Sequence, residues 1–143
     1  MDFKKIMLIF IVMIMVGALI GIHAVSAATS RVAICDSNSD EVSSFHSSSN
    51  DESLQIYARL YVDGEWKAWR NLDFDIYDPS GNQLFHVTSL TSFVTGYAGV
   101  GIWINHLYEL ETGDYTVIVS YGGNEDKGWP ATSTTAVIHR TKN

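Results

Sequence analysis

The segment Leu54-Gln55-Ile56-Tyr57-Ala58-Arg59-Leu60-Tyr61-Val62-Asp63-Gly64 decides the reading of the fold. Its even positions, Leu54, Ile56, Ala58, Leu60 and Val62, are all apolar. Its odd positions carry Gln55, Tyr57, Arg59 and Tyr61. Successive side chains of a strand point to opposite faces, so this period of two describes a strand with one face in a core and one face outward. The run stops at Asp63-Gly64, where aspartate can bond to nearby backbone and glycine accepts a positive φ.

The same alternation recurs downstream. Leu72, Phe74 and Ile76 alternate with Asp73, Asp75 and Tyr77, and Asp78-Pro79-Ser80-Gly81-Asn82 comes next as a turn. Leu84 to Val87 reads as a short strand, and Thr88 to Tyr97 is polar and undecided. Val100, Ile102 and Ile104 alternate with Gly101, Trp103 and Asn105. Beyond Leu110-Glu111-Thr112-Gly113-Asp114, the residues Tyr115, Val117, Val119 and Tyr121 define another strand. Gly122-Gly123-Asn124-Glu125-Asp126 is an exposed loop, and Ala131 to Arg140 is the last strand. Arg31 to Cys35 is a possible first strand, whereas residues 36–53 are rich in serine, aspartate and asparagine and read as a polar loop. About seven short strands, with turns roughly every 8–12 residues, predict an all-β sandwich of two antiparallel sheets.

The start of the chain obeys different rules. Lys4 and Lys5 precede an apolar run from Ile6 to Ile22, and Ala24-Val25-Ser26-Ala27-Ala28 lies beyond it. A basic start, an apolar stretch and small residues at a cleavage point are the three parts of a secretory signal peptide, here residues 1–27. The alternative is an uncleaved anchor, although the apolar run is shorter than the roughly 20 residues a spanning helix needs. Either reading places residues 28–143 outside the cell or on its surface. The excess of acids, 16 against 9 bases, argues against nucleic acid as a partner and against an anionic membrane. Membrane contact is expected only through residues 6–22, if they are retained. The single cysteine, Cys35, cannot form an internal disulfide. A buried free thiol is the expected state, with a bridge to another chain as the alternative.

The quoted strands and turns, taken together over Leu54 to Arg140, resemble the bacterial and archaeal immunoglobulin-like domains of adhesin-like surface proteins. The matching pieces include Leu72-Asp73-Phe74-Asp75-Ile76-Tyr77-Asp78, Gly99-Val100-Gly101-Ile102 and Gly113-Asp114-Tyr115-Thr116-Val117. The last of these fits a tyrosine corner, in which the Tyr115 hydroxyl bonds back to nearby backbone and Val117 stands where disulfide-bonded relatives carry cysteine. The resemblance implies an immunoglobulin-like fold and a non-catalytic adhesive role. It also implies that either Trp66 or Trp69 is the core tryptophan leading into the third strand, with the other at a loop tip.

Chemistry-bearing constellations are sparse. Beyond residues 1–27 the histidines His46, His86, His106 and His139 are scattered, and the serines lie in polar stretches without a nucleophile elbow. No zinc spacing occurs. Asp73, Asp75 and Asp78 are the nearest approach to a calcium set, and solvated outer-face charges explain them equally well. No catalytic residue, cofactor or metal site is expected. The sharper expectation is an aromatic strip. If the even faces of the strands around Tyr57 and Trp103 form the core, Tyr57, Tyr61 and Trp103 lie on the outer face, flanked by Arg59. Flat exposed rings stack on sugars or anchor a protein. The sequence thus predicts contact with an extracellular protein or glycan, and, as the alternative, a carbohydrate-binding module acting through this strip. Rings paired across strands would serve the sheet alone.

Overall fold

A computed structural model describes residues 27–48, 53–103 and 111–141. The expected signal segment falls almost wholly outside these residues. Nine strands are present among them. They are β1 (Ser30–Cys35), β2 (Ser44–Ser48), β3 (Ser53–Val62), β4 (Glu65–Trp66), β5 (Asn71–Tyr77), β6 (Gln83–Leu90), β7 (Tyr97–Trp103), β8 (Gly113–Tyr121) and β9 (Thr132–Thr141). No helix among the described residues is long and apolar enough to cross a membrane.

The strands form two sheets. In the first, β3 pairs antiparallel with β1 along one side, and with β7 and the short β4 on the other. The second has the order β2-β9-β8-β5-β6, antiparallel throughout except that β2 runs parallel to β9. Alternation makes one face of each sheet apolar, and the two faces meet in one core. Ile34, Ile56 and Leu60 of the first sheet and Leu72, Phe74, Val117 and Val119 of the second are fully buried. Each such side chain contributes about 1.5–3 kcal/mol relative to exposure.

Three expectations are corrected. The polar segment 36–53 is not wholly a loop, because β2 lies inside it. Phe45 and Ser47 point inward there, and Phe45 sits opposite Ile138 of β9. Ser47 accepts a hydrogen bond at 3.0 Å from the Arg140 guanidinium, so a polar strand is held by its partner rather than by its own apolar pattern. The strand at Leu84 to Val87 extends over all of β6, which takes in Thr88 to Leu90 as well. Neither Trp66 nor Trp69 enters the core; they are 38% and 60% exposed. Phe74 of β5 fills the interior instead. Ile104 lies outside the described residues.

At the start of β8, the Tyr115 ring is buried and its hydroxyl donates to the Glu111 carbonyl at 2.7 Å. Burial pushes its phenol above the ordinary value, reinforced by Glu111 and Asp78 and opposed by Arg140. Gly113, two residues earlier, has φ +146° and packs so closely on Pro79 that a Cβ would stand 3.0 Å from its ring. Cys35 is a buried free thiol, raised in pKa by burial first and by Glu41 next.

Candidate functional site

Register decides which of the expected ring residues meet. Trp103 pairs with Ser53, Tyr57 with Gly99, and Arg59 with Tyr97. Trp103 therefore stands four residues along the sheet from Gly99, the partner of Tyr57, or about 13 Å at strand rise. The ring beside Tyr57 is instead Tyr97, edge to face at a centroid separation of 6.2 Å. Arg59 lies over the Tyr97 ring at 4.0 Å and near Trp66 at 5.6 Å, while its Nε and Nη2 both donate to the Thr95 carbonyl. Arg31 lies over Tyr61 at 4.8 Å. The strip is thus a ladder built from Tyr57, Tyr97, Arg59, Trp66, Tyr61 and Arg31.

Glycines let the ladder lie flat. A Cβ on Gly99 would stand 2.8 Å from the Tyr57 ring, and one on Gly96 would run into the Trp66 indole. These rings cover bare backbone, and the faces of Tyr97 and Tyr61 are engaged by guanidinium groups. Tyr57, Arg59 and Tyr61 are only half-exposed. The arrangement stabilises the outer face of the first sheet by cation–π and edge-to-face contact, each worth about 0.5–1.5 kcal/mol.

Among the described residues the most exposed rings lie elsewhere, on the loops at the end of the molecule where β3 and β8 finish and β5, β7 and β9 begin. Trp69 and Phe93 stack in parallel, with centroids 5.3 Å apart and planes 8° apart, and are 60% and 63% exposed. Val94 beside them is 68% exposed. Thr91 explains why two loops distant in sequence bring these rings together. It is fully buried, and its hydroxyl donates to the Lys67 carbonyl at 2.8 Å and accepts from the Arg70 amide at 2.9 Å. Its backbone completes the clamp, with Thr91 donating to the Arg70 carbonyl and Trp69 donating to the Thr91 carbonyl. Trp69 is held at φ +59°, a left-handed conformation that costs a bulky residue on the order of 1 kcal/mol. A strained, outward-facing tryptophan gains nothing for the core, and such strain concentrates at binding sites.

Trp129 organises the adjoining loop. Asn124 and Trp129 exchange two backbone hydrogen bonds, and Gly128 turns the chain between them with φ +69°. The Trp129 ring packs against the core and is surrounded by Arg70, Lys127 and Lys67 at 4.9, 5.2 and 5.4 Å. Between this loop and the start of β5 lies an open cleft of about 310 Å³, lined by Trp69, Arg70, Asn71, Asp73, Tyr121 and residues 122–124. Two of the lining residues carry a buried atom without a hydrogen-bond partner among the described residues, Arg70 its Nε and Tyr121 its hydroxyl. Such groups carry a desolvation cost of about 1–3 kcal/mol each.

The acids of the outer face of the second sheet are engaged locally. Asp73 accepts from the Thr88 hydroxyl, Asp75 accepts from Gln83 at 3.0 Å and meets His86 at 2.6 Å, and Asp78 caps its own turn through the Ser80 and Asn82 amides.

Sequence reasoning singles out Tyr57, Tyr61 and Arg59, which do share a face, and misses Tyr97, Trp69, Phe93 and the cleft. Tyr97 is legible in principle, being two residues before Gly99. The Trp69–Phe93 pair is not, because only the Thr91 clamp brings the loops together.

No family model matches the chain. No curated protein matches it. Among solved structures it is similar to the beta-glucuronidase of Bifidobacterium dentium complexed with coumarin-3-O-glucuronide, with a TM-score of 0.42 and 15% identity over 80% of this chain. The chain spans 18% of that structure's length, and a likeness this distant carries no information about activity or ligand.

Proposed function

We propose that the chain is an extracellular, non-catalytic immunoglobulin-like domain of adhesin type that makes contact through its aromatic loop end. The observation that carries this is the exposed Trp69–Phe93 stack, held in place by a buried polar clamp and a strained backbone rather than by core packing. Exposed apolar groups gathered at one site mark contact surfaces, and aromatic residues dominate their energetics. The immunoglobulin-like assignment is supported by strand order. β1, β3 and β7 fit strands A, B and E, while β5, β8 and β9 fit C, F and G, with the Tyr115 hydrogen bond at the start of F. Extracellular placement rests on the character of residues 1–27.

We locate the contact at the loop end rather than on the Tyr57–Tyr61 strip because the strip's rings already serve one another and their cations. The test is binding of the chain to intact cell envelope, and to envelope stripped of protein or of oxidisable sugar. The reading expects binding that falls at least tenfold in a Trp69→Ser/Phe93→Ser variant whose melting curve is unchanged. Binding lost in Tyr57→Ala but kept in the loop variant would return the site to the strip. No binding to any envelope preparation would end the adhesive reading.

A further inference from the structure

We infer that the cleft beside Trp69 is a binding site for a sugar ring bearing a carboxylate, and that this is the glycan arm of the contact proposed above; the inference rests on that reading. Three features of the cleft converge on this ligand class. The first is the platform. One face of the Trp69 indole is stacked on Phe93, yet 60% of the residue remains exposed, and Trp69 lines the cleft. An exposed aromatic ring braced by a stacked neighbour offers a flat apolar surface to the C–H face of a pyranose.

The second feature is the polar lining. Asn71, Asp73 and Asn124 surround the cleft, together with the backbone at Gly122 and Gly123. Side-chain amides both donate to and accept from the hydroxyls of a sugar, and a carboxylate accepts from them. A Cβ at Gly123 would stand 3.0 Å from the Ala131 nitrogen, and its φ is +86°, so the wall of the cleft is bare backbone by necessity. The volume, about 310 Å³, lies at the lower end of ligand sites and suits one ring with its substituents rather than a long chain.

The third feature selects the carboxylate. Arg70 lines the cleft, makes no ion pair among the described residues, and lies with its guanidinium over the Trp129 ring at 4.9 Å. A guanidinium presents a planar fork that matches a carboxylate. Lys127 and Lys67, the latter paired with Glu65 at 3.5 Å, stand around the same Trp129 ring as Arg70, so positive charge gathers near Arg70 in a chain whose net charge is −7. Asp73 is the acid among the lining residues, and it already accepts from Thr88. The overall negative charge gives no long-range attraction to an acidic glycan, so recognition is local and short-ranged.

The experiment titrates the full chain with short oligomers of galacturonic acid and with the same oligomers after reduction of their carboxyls to alcohols, by calorimetry or tryptophan fluorescence. The expected result is saturable binding of the acid, about tenfold weaker binding of the reduced oligomer, and loss of at least tenfold in affinity for Trp69→Ala. Arg70→Gln abolishes the preference for the acid over the reduced oligomer, a readout that a general loss of folding cannot produce. Equal binding of both oligomers, or binding indifferent to Trp69, overturns the inference. So does absence of binding to either oligomer; if the chain still binds envelope through Trp69 and Phe93, the contact reading survives and only the sugar site is lost.

Discussion

Two tyrosines of β8 offer a paired test of what holds the fold. Tyr115 and Tyr121 are on the same strand, face the same core and are 3% and 5% exposed. Their hydroxyls differ: that of Tyr115 donates to Glu111, whereas that of Tyr121 is buried without a partner among the described residues. Substitution by phenylalanine keeps each ring and removes only the hydroxyl. For Tyr115→Phe the loss is one net hydrogen bond, about 1 kcal/mol, since Glu111 is exposed and its carbonyl can rehydrate. For Tyr121→Phe the deleted group has no partner among the described residues and carries a desolvation cost, so the variant is as stable as the parent or more stable, by up to about 1 kcal/mol. At about 4 °C per kcal/mol for a domain of this size, the two melting points separate by about 4 °C or more, in opposite senses or with one unmoved.

Urea denaturation monitored by tryptophan fluorescence, with equal slopes required, measures the difference. A pH series adds an independent check. The native Tyr115 phenol is raised above 10.0, so on raising the pH the unfolded chain gives up this proton first. Stability from this group is complete below pH 10.0 and falls as pH rises through the native value; Tyr115→Phe lacks that component of the alkaline loss. A Tyr115→Phe variant as stable as the parent, or a Tyr121→Phe variant destabilised equally, would refute the idea that hydrogen bonding separates the two.

Other contacts give sharp outcomes as well. Thr91→Val removes both side-chain bonds of the clamp and should cost about 2 kcal/mol, while also loosening the Trp69–Phe93 stack, read as a loss of near-ultraviolet circular dichroism. Arg59→Gln separates Tyr97 and Trp66 from their cation and frees the Thr95 carbonyl, a loss of about 1–2 kcal/mol in urea titration, with binding through the loop end retained. Gly99→Ala drives the Tyr57 ring off the sheet, at a cost of about 1–3 kcal/mol; an unchanged midpoint would show that the ring does not rest there. Cys35 should resist a thiol reagent at neutral pH until urea unfolds the chain, because it is both buried and held protonated.

The strands and the core are legible along the chain itself. The alternation of β3, β5, β8 and β9 places Ile56, Leu60, Phe74 and Val117 inside because the two-residue period is a property of the local backbone and needs no knowledge of neighbours. The tyrosine at the start of β8 is legible for the same reason. What lies beyond the sequence is everything set by pairing between distant segments. β2 has too little apolar pattern to declare itself, and exists because β9 offers an edge to it. Trp103 and Tyr97 occupy positions of the same parity along β7, and only the register against β3 puts Tyr97, not Trp103, beside Tyr57. Trp69 and Phe93 are separated by the whole of β5 and β6, and meet because Thr91 commits its hydroxyl and both backbone groups to the opposite loop. Local periodicity chooses which face of a strand is apolar; long-range hydrogen bonding chooses which side chains become neighbours, and a binding surface is made of neighbours.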